Sequence, residues 1–194
     1  MRKSQMERRT TETNIKLKFV VDGSGDSKID TGVGFFDHML VLFAKHGQFD
    51  IYLKCEGDLN VDAHHTVEDC GIVMGKTFAE ALGTKESIKR YSTETVPMDE
   101  ALVTVSTDIS GRAFLVFNAE LAPILLGNFN SELCEEFFRA FVANAGITMH
   151  INEHYGTNTH HIIEVMFKAA ARSLRSAVSI DYGVEGVMST KGVL

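Results

Sequence analysis

His64-His65-Thr66-Val67-Glu68 and His160-His161-Ile162-Ile163-Glu164 are two copies of one pattern, H-H-x-x-E, 96 residues apart in a chain of 194. Each copy sits at a similar depth in its own half, so the chain reads as a duplication. Four of the eight histidines are used in these two segments. On a helix, residues four apart share a face and adjacent residues diverge by about 100°. His64 and Glu68 can therefore grip one ion while His65 points elsewhere, and the same holds for His160, Glu164 and His161. Imidazole and carboxylate are the usual ligands of a borderline transition metal. Neither segment completes a site alone. Each metal would take the His/Glu pair of one half and the odd histidine of the other.

Working outward, the elements repeat. Residues 14–22 alternate apolar and polar (Ile15, Leu17, Phe19, Val21), as a half-buried strand does. A turn at 22–26 and a return strand at 27–31 make a hairpin. An apolar helix follows at 35–46, a strand at 48–55, and the first motif helix to about Leu82, with Asp62 as N-cap and Gly83 as stop. The second half gives strands at 100–108 and 113–118, a helix capped by Ser131 running to about Asn144, a strand at 146–152, and the second motif helix to about Val178. The expected fold class is α+β: two duplicated half-domains, residues 1–96 and 97–194. Each is a small, mostly antiparallel sheet with two helices on one face, and the two form one compact unit. The polar start, 1–13, reads as a solvated lead-in or a first edge strand.

Setting His38 over Glu136 aligns the two apolar helices, each followed by a glycine and a strand. His38 lies 26 residues before its motif and Glu136 lies 24 before its own. Both are candidate fourth ligands. Glu136 also reads as an ordinary first-turn glutamate favoured by the helix dipole. His150, in the following strand, is its rival, or a strand histidine that supports the site by hydrogen bonding.

Composition narrows the classes. Apolar content is 44 %, charged content 23 % and net charge −7, which fits a globular protein and not a nucleic-acid binder. No apolar run nears the ~18 residues of a membrane span, and no signal sequence is evident. Cys55, Cys70 and Cys134 have no ligand-like spacing and read as free thiols of a reducing compartment. The expected location is the cytoplasm.

The chain from about Glu7 to Leu194 resembles the imidazoleglycerol-phosphate dehydratase family in its monofunctional form. The likeness rests on Gly34-Phe35-Phe36-Asp37-His38-Met39-Leu40, His64-His65-Thr66-Val67-Glu68-Asp69, Val96-Pro97-Met98-Asp99-Glu100-Ala101, Asp108-Ile109-Ser110-Gly111-Arg112, His160-His161-Ile162-Ile163-Glu164 and Ser189-Thr190-Lys191-Gly192. The resemblance implies two Mn²⁺ ions per active site. One would be held by His38, His65, His160 and Glu164, the other by His64, Glu68, His161 and Glu136. Many members carry histidine at the last position, and glutamate oxygen also suits Mn²⁺.

It further implies a phosphorylated imidazole substrate. Arg90, Arg112, Lys168, Ser189 and Lys191 would grip its phosphate in one pocket, with His38, His46 and Glu12 also at the substrate. Glu12 would arrive from a neighbouring subunit. Glu164, Glu12 and Glu68 are the candidates for proton transfer. The implied reaction is dehydration of D-erythro-imidazoleglycerol phosphate to imidazoleacetol phosphate in histidine biosynthesis, by an imidazolate/diazafulvene-type route. The implied assembly is a homo-oligomer of 24 subunits. A dinuclear metallohydrolase and a metal-storage or metal-sensing protein are the other classes that such His/Glu clusters serve. The alternating strands speak against a ferritin-like bundle.

Overall fold

The computed structural model describes residues 1–194. β1 (Lys3–Arg9) and β2 (Thr13–Val20) form an antiparallel hairpin, followed by β3 (Ser27–Asp30), α1 (Gly34–Gly47), β4 (Asp50–Gly57) and α2 (His64–Leu82). The second half repeats this with β5 (Tyr91–Met98), β6 (Ala101–Asp108), β7 (Phe114–Asn118), α3 (Leu133–Ala145), β10 (Thr148–Tyr155) and α4 (Thr159–Ala177). It adds a small hairpin, β8 (Leu125–Leu126) with β9 (Phe129–Asn130). The two large sheets have the orders β1-β2-β4-β3 and β5-β6-β10-β7, so the fold is α+β with duplicated halves.

The expected hairpins are corrected. Residues 14–22 do not pair with 27–31; β2 pairs with β1 and β4, and β3 lies parallel to β4 at the far edge. Likewise β6 pairs with β5 and β10, and β7 lies parallel to β10. A parallel neighbour requires a long connection, and α1 and α3 supply it. The polar start is the edge strand β1. The join expected at 96/97 falls inside β5, all of whose residues pair with β6. Ser131 does not cap α3: its hydroxyl donates to Ala122 O (2.7 Å) and accepts from Ile124 N, tying down the β8 loop.

The alternation of β2 does set its faces: Ile15, Leu17 and Phe19 are buried, and Lys16 and Lys18 face outward. The helices lie between the sheets and weld the halves together. α1 packs on α4 and α2 on α3. Rings from all four helices meet, with Phe36–Phe137 at 5.3 Å, Phe137–Phe167 at 5.2 Å and Phe78–Phe141 at 5.7 Å between centroids. The buried apolar side chains form one cluster spanning both halves.

α2 and α3 approach closely because Gly71 and Gly75 face the neighbour. A Cβ at Gly71 would lie 2.8 Å from Phe137 O, and one at Gly75 would meet Phe141 O and, at 2.9 Å, Ala145 N. These contacts advance together along both chains, so the helices are parallel. At the other end of the fold, Arg2 clamps the first sheet to α4: its guanidinium bonds Asp22 (2.6 Å) and Val178 O (2.7 Å). Cys55, Cys70 and Cys134 are free and buried. No helix is long and apolar enough to cross a membrane.

Candidate metal centre and phosphate cleft

All four helices begin at one end of the molecule. Phe35 at the start of α1 touches His160 (5.0 Å) and Phe129 (5.3 Å), and Asn128 donates to Gly32 O. The motif helices open alike. Asp62 accepts from His64 N (2.7 Å) and Asn158 from His160 N (3.0 Å), each two residues before the first histidine. Helix N-termini favour carboxylates, and neutral imidazole is a metal ligand.

On the α1–α4 side, His38, His160 and Glu164 bring ligand atoms within 4.8 Å of one another, and no other three-residue donor set closes so tightly. Glu164 is only 7 % exposed. His160 Nε2 lies 3.2 Å and His38 Nε2 3.6 Å from Glu164 Oε2, while Lys168 Nζ sits 2.7 Å from Oε1. Burial works to raise the Glu164 pKa, but Lys168, His160 and His38 together outweigh it and hold the carboxyl below its ordinary value. His46, further along α1, is held below the usual histidine value by burial and by Lys168 and Arg172.

The α2–α3 side is looser. His64 Nε2 and Glu68 Oε2 are 3.7 Å apart, each side chain 45 % exposed. Glu136 sits on α3 at the place His38 holds on α1, with its carboxylate 3.9 Å from Arg139. It does not close a triad with His64 and Glu68.

The odd histidines join neither set within the chain. His65 Nδ1 bonds Asp58 (3.0 Å), with Glu12 Oε1 3.8 Å from its Nε2. His161 Nδ1 bonds Glu100 (2.8 Å). These bonds raise both histidine pKa values and draw Glu100 down to about 2. Asp58 and Glu100 carried no assigned role in the sequence, although Glu100 stands in a quoted motif. His150 is exposed on the open face of the second sheet, away from both sets.

The phosphate candidates do not all gather in one chain. Arg90, Arg112, Ser189 and Lys191 line a cleft of about 490 Å³. Arg90 is buried there, bonding Asp108 (2.7 Å) and Met188 O (2.6 Å). Its backbone N donates to Ala177 O at the end of α4. Lys168, beside Glu164, stands midway along that helix, nine residues back from Ala177 and so about 14 Å away at 1.5 Å per residue.

The family model for imidazoleglycerol-phosphate dehydratase matches residues 31–174. A relative of that name from Acetivibrio thermocellus is 61 % identical over 193 residues, covering 100 % of this chain and 99 % of its own. One from Thermoanaerobacter pseudethanolicus is 57 % identical over the full length of both chains. Crystal structures of the dehydratase from Staphylococcus aureus (42 % identity, 92 % of this chain and 99 % of that one) and Pyrococcus furiosus (34 %, 97 % and 100 %) superpose with TM-scores of 0.84. A chain with these relatives, this duplicated fold and this His/Glu cluster is an enzyme of histidine biosynthesis and belongs to the imidazoleglycerol-phosphate dehydratase family.

Proposed function

We propose that the enzyme removes water from D-erythro-imidazoleglycerol phosphate, giving imidazoleacetol phosphate, with two Mn²⁺ ions in each active site. The convergence of His38, His160 and Glu164 within 4.8 Å carries this reading. The donors fit, since neutral imidazole and carboxylate suit Mn²⁺. His38, His160 and Glu164 would hold one ion with a His65. His64, Glu68 and Glu136 would hold the other with a His161. Both odd histidines turn away from their own chain's sets, so neighbouring copies supply them, and the site lies between subunits. Bound ions would supply Lewis acidity to the substrate's ring nitrogens and oxygens.

The chain's own residues account for the rest. Arg90, Arg112, Ser189 and Lys191 of one copy grip the phosphate, and Lys168 and His46 of another meet it from across the contact. Arg90 is pre-set by Asp108, so its fork loses little freedom on binding. Once its N–H proton is lost, the electron-rich ring expels the adjacent hydroxyl, which leaves with that proton as water, in a diazafulvene-type route. Glu164, kept ionised by Lys168, takes the carbon-bound proton. Glu12, which travels with His65, and Glu68 are the other carboxylates at hand for proton transfer. The enol then becomes the ketone. We place the enzyme in the cytoplasm as a 24-subunit assembly that metal promotes.

The test measures ketone formation, inorganic phosphate release and bound manganese on one purified sample. Ketone should form only with Mn²⁺ bound, stop on chelation, and return with Mn²⁺. Particle size by light scattering should fall on chelation. Phosphate release without ketone, from a Mn²⁺-loaded sample, would replace this reading with a hydrolase.

A further inference from the structure

The two halves match position by position around their hairpins. A Cβ on Gly57 would meet Thr66 and Thr13; one on Gly156 would meet Ile162 and Ala101. Thr66 and Ile162 are the third residues of the two motifs. Gly57 therefore corresponds to Gly156, and Thr13, the first residue of β2, to Ala101, the first of β6. One step along, Asp58 corresponds to Thr157, and Glu12 to Glu100.

The carboxylate beside the odd histidine is not the same one in the two halves. In the first half Asp58 bonds His65 Nδ1 at 3.0 Å, and the turn glutamate, Glu12, is left 3.8 Å from Nε2. In the second half position 157 is threonine, and the turn glutamate, Glu100, bonds His161 Nδ1 at 2.8 Å. Glu100 Oε1 also accepts from Asn158 N (2.8 Å) and Thr157 N (3.3 Å), so it is braced against the start of α4. An ionised carboxylate only accepts, so in its neutral form each odd histidine carries its proton on Nδ1 and leaves the lone pair on Nε2. The other candidate ligands, His38, His64 and His160, also turn Nε2 toward their carboxylates.

We infer that Asp58 and Glu100 are positioning residues that lock His65 and His161 as Nε2 donors, and that Asp58 relieves Glu12 of the task Glu100 performs in the other half. The inference rests on the metal reading above. A carboxylate behind a metal-binding imidazole fixes the tautomer and ring orientation and raises the basicity of the ligating nitrogen. It also explains why one turn glutamate stands free for substrate while its counterpart does not.

The experiment titrates Mn²⁺ into the metal-free full-length protein, with free Mn²⁺ read by electron paramagnetic resonance and folding by thermal melts. Glu100→Ala and Asp58→Ala should each weaken binding about 10–100-fold. Glu100→Gln, which keeps an acceptor oxygen, should lose less than Glu100→Ala. Adding Thr157→Asp to Glu100→Ala should recover most of the loss by moving the first half's arrangement into the second; a purely structural role for Glu100 would not be rescued from position 157. If one alanine variant fails to fold, the other decides. Wild-type affinity in a folded alanine variant, or no recovery with Thr157→Asp, overturns the inference. No Mn²⁺ binding by the wild type overturns the metal reading itself, and this inference with it.

Discussion

On the α1–α4 side the carboxylate is 7 % exposed and gripped by two imidazoles and a lysine. On the α2–α3 side the matching Glu68 is half exposed, with His64 at 3.7 Å and Glu136 turned toward Arg139. The helices behind these sets differ in the opposite sense. Gly71 and Gly75 bring α2 and α3 backbone to backbone, whereas α1 and α4 pack together less extensively. One set is thus organised before an ion arrives, and the other depends on an ion or a partner copy to draw it together. Preorganised donors bind more tightly because less freedom is lost. The two ions of a site should bind in sequence, the first on the α1–α4 side.

Four measurements would break or sharpen this contrast. The largest effect belongs to Glu164→Gln, which should lower kcat by about 10²–10⁴-fold with the fold intact; Glu68→Gln should cost less. Equal losses would abolish the distinction between the sets. Next, Glu136→Ala should weaken only the second Mn²⁺ equivalent, by at least the ~10–100-fold that loss of a supporting partner costs. A titration that loses the first equivalent instead would reverse the order of filling.

Third, Gly75→Ala should destabilise by roughly 1–3 kcal/mol through overpacking, seen as a lower melting temperature, while the first equivalent still binds. The smallest effect is a control distant from both sets. Asp22→Asn should cost no more than ~1 kcal/mol, since the Asp22–Arg2 pair is partly exposed. Arg2 holds the Asp22 carboxyl below its ordinary 3.8. Its stabilisation is therefore present above pH 3.8 and fades as pH falls through the folded-state value, so wild type and variant should converge in acid melts. A gap that persisted at pH 2 would assign the effect to something other than charge.

Much of this was legible in the chain itself. Gly83 stops α2 and Asn158 caps α4 because capping is local chemistry, whereas the expected cap Asp62 lies one residue before the actual N-cap, Ala63, and accepts from His64 N instead. The facing of His160 with Glu164 and of His64 with Glu68 followed from helical spacing. Strand partnership did not: residues 27–31 and 113–118 each follow a turn, as hairpin strands do, but their partners are set by where α1 and α3 return the chain. β5 went unread as a strand because its residues alternate only between half-buried and exposed, at a sheet edge. Asp58 and Glu100 were hidden for a similar reason. Each acts through a histidine that only the fold brings within reach, and the halves meet the same need from different positions. The separation of Lys168 from Arg90 reflects the nine-residue offset between Lys168 and Ala177 on α4, which no motif encodes.

The three enclosed thiols offer a use of their own. Cys55 and Cys70 lie under the first sheet and Cys134 on α3, all out of solvent. An alkylating reagent can reach them only when the surrounding layers part. The protein thus carries native probes of breathing in each repeat, and peptide mapping after timed labelling would show which half opens first, with no introduced tag.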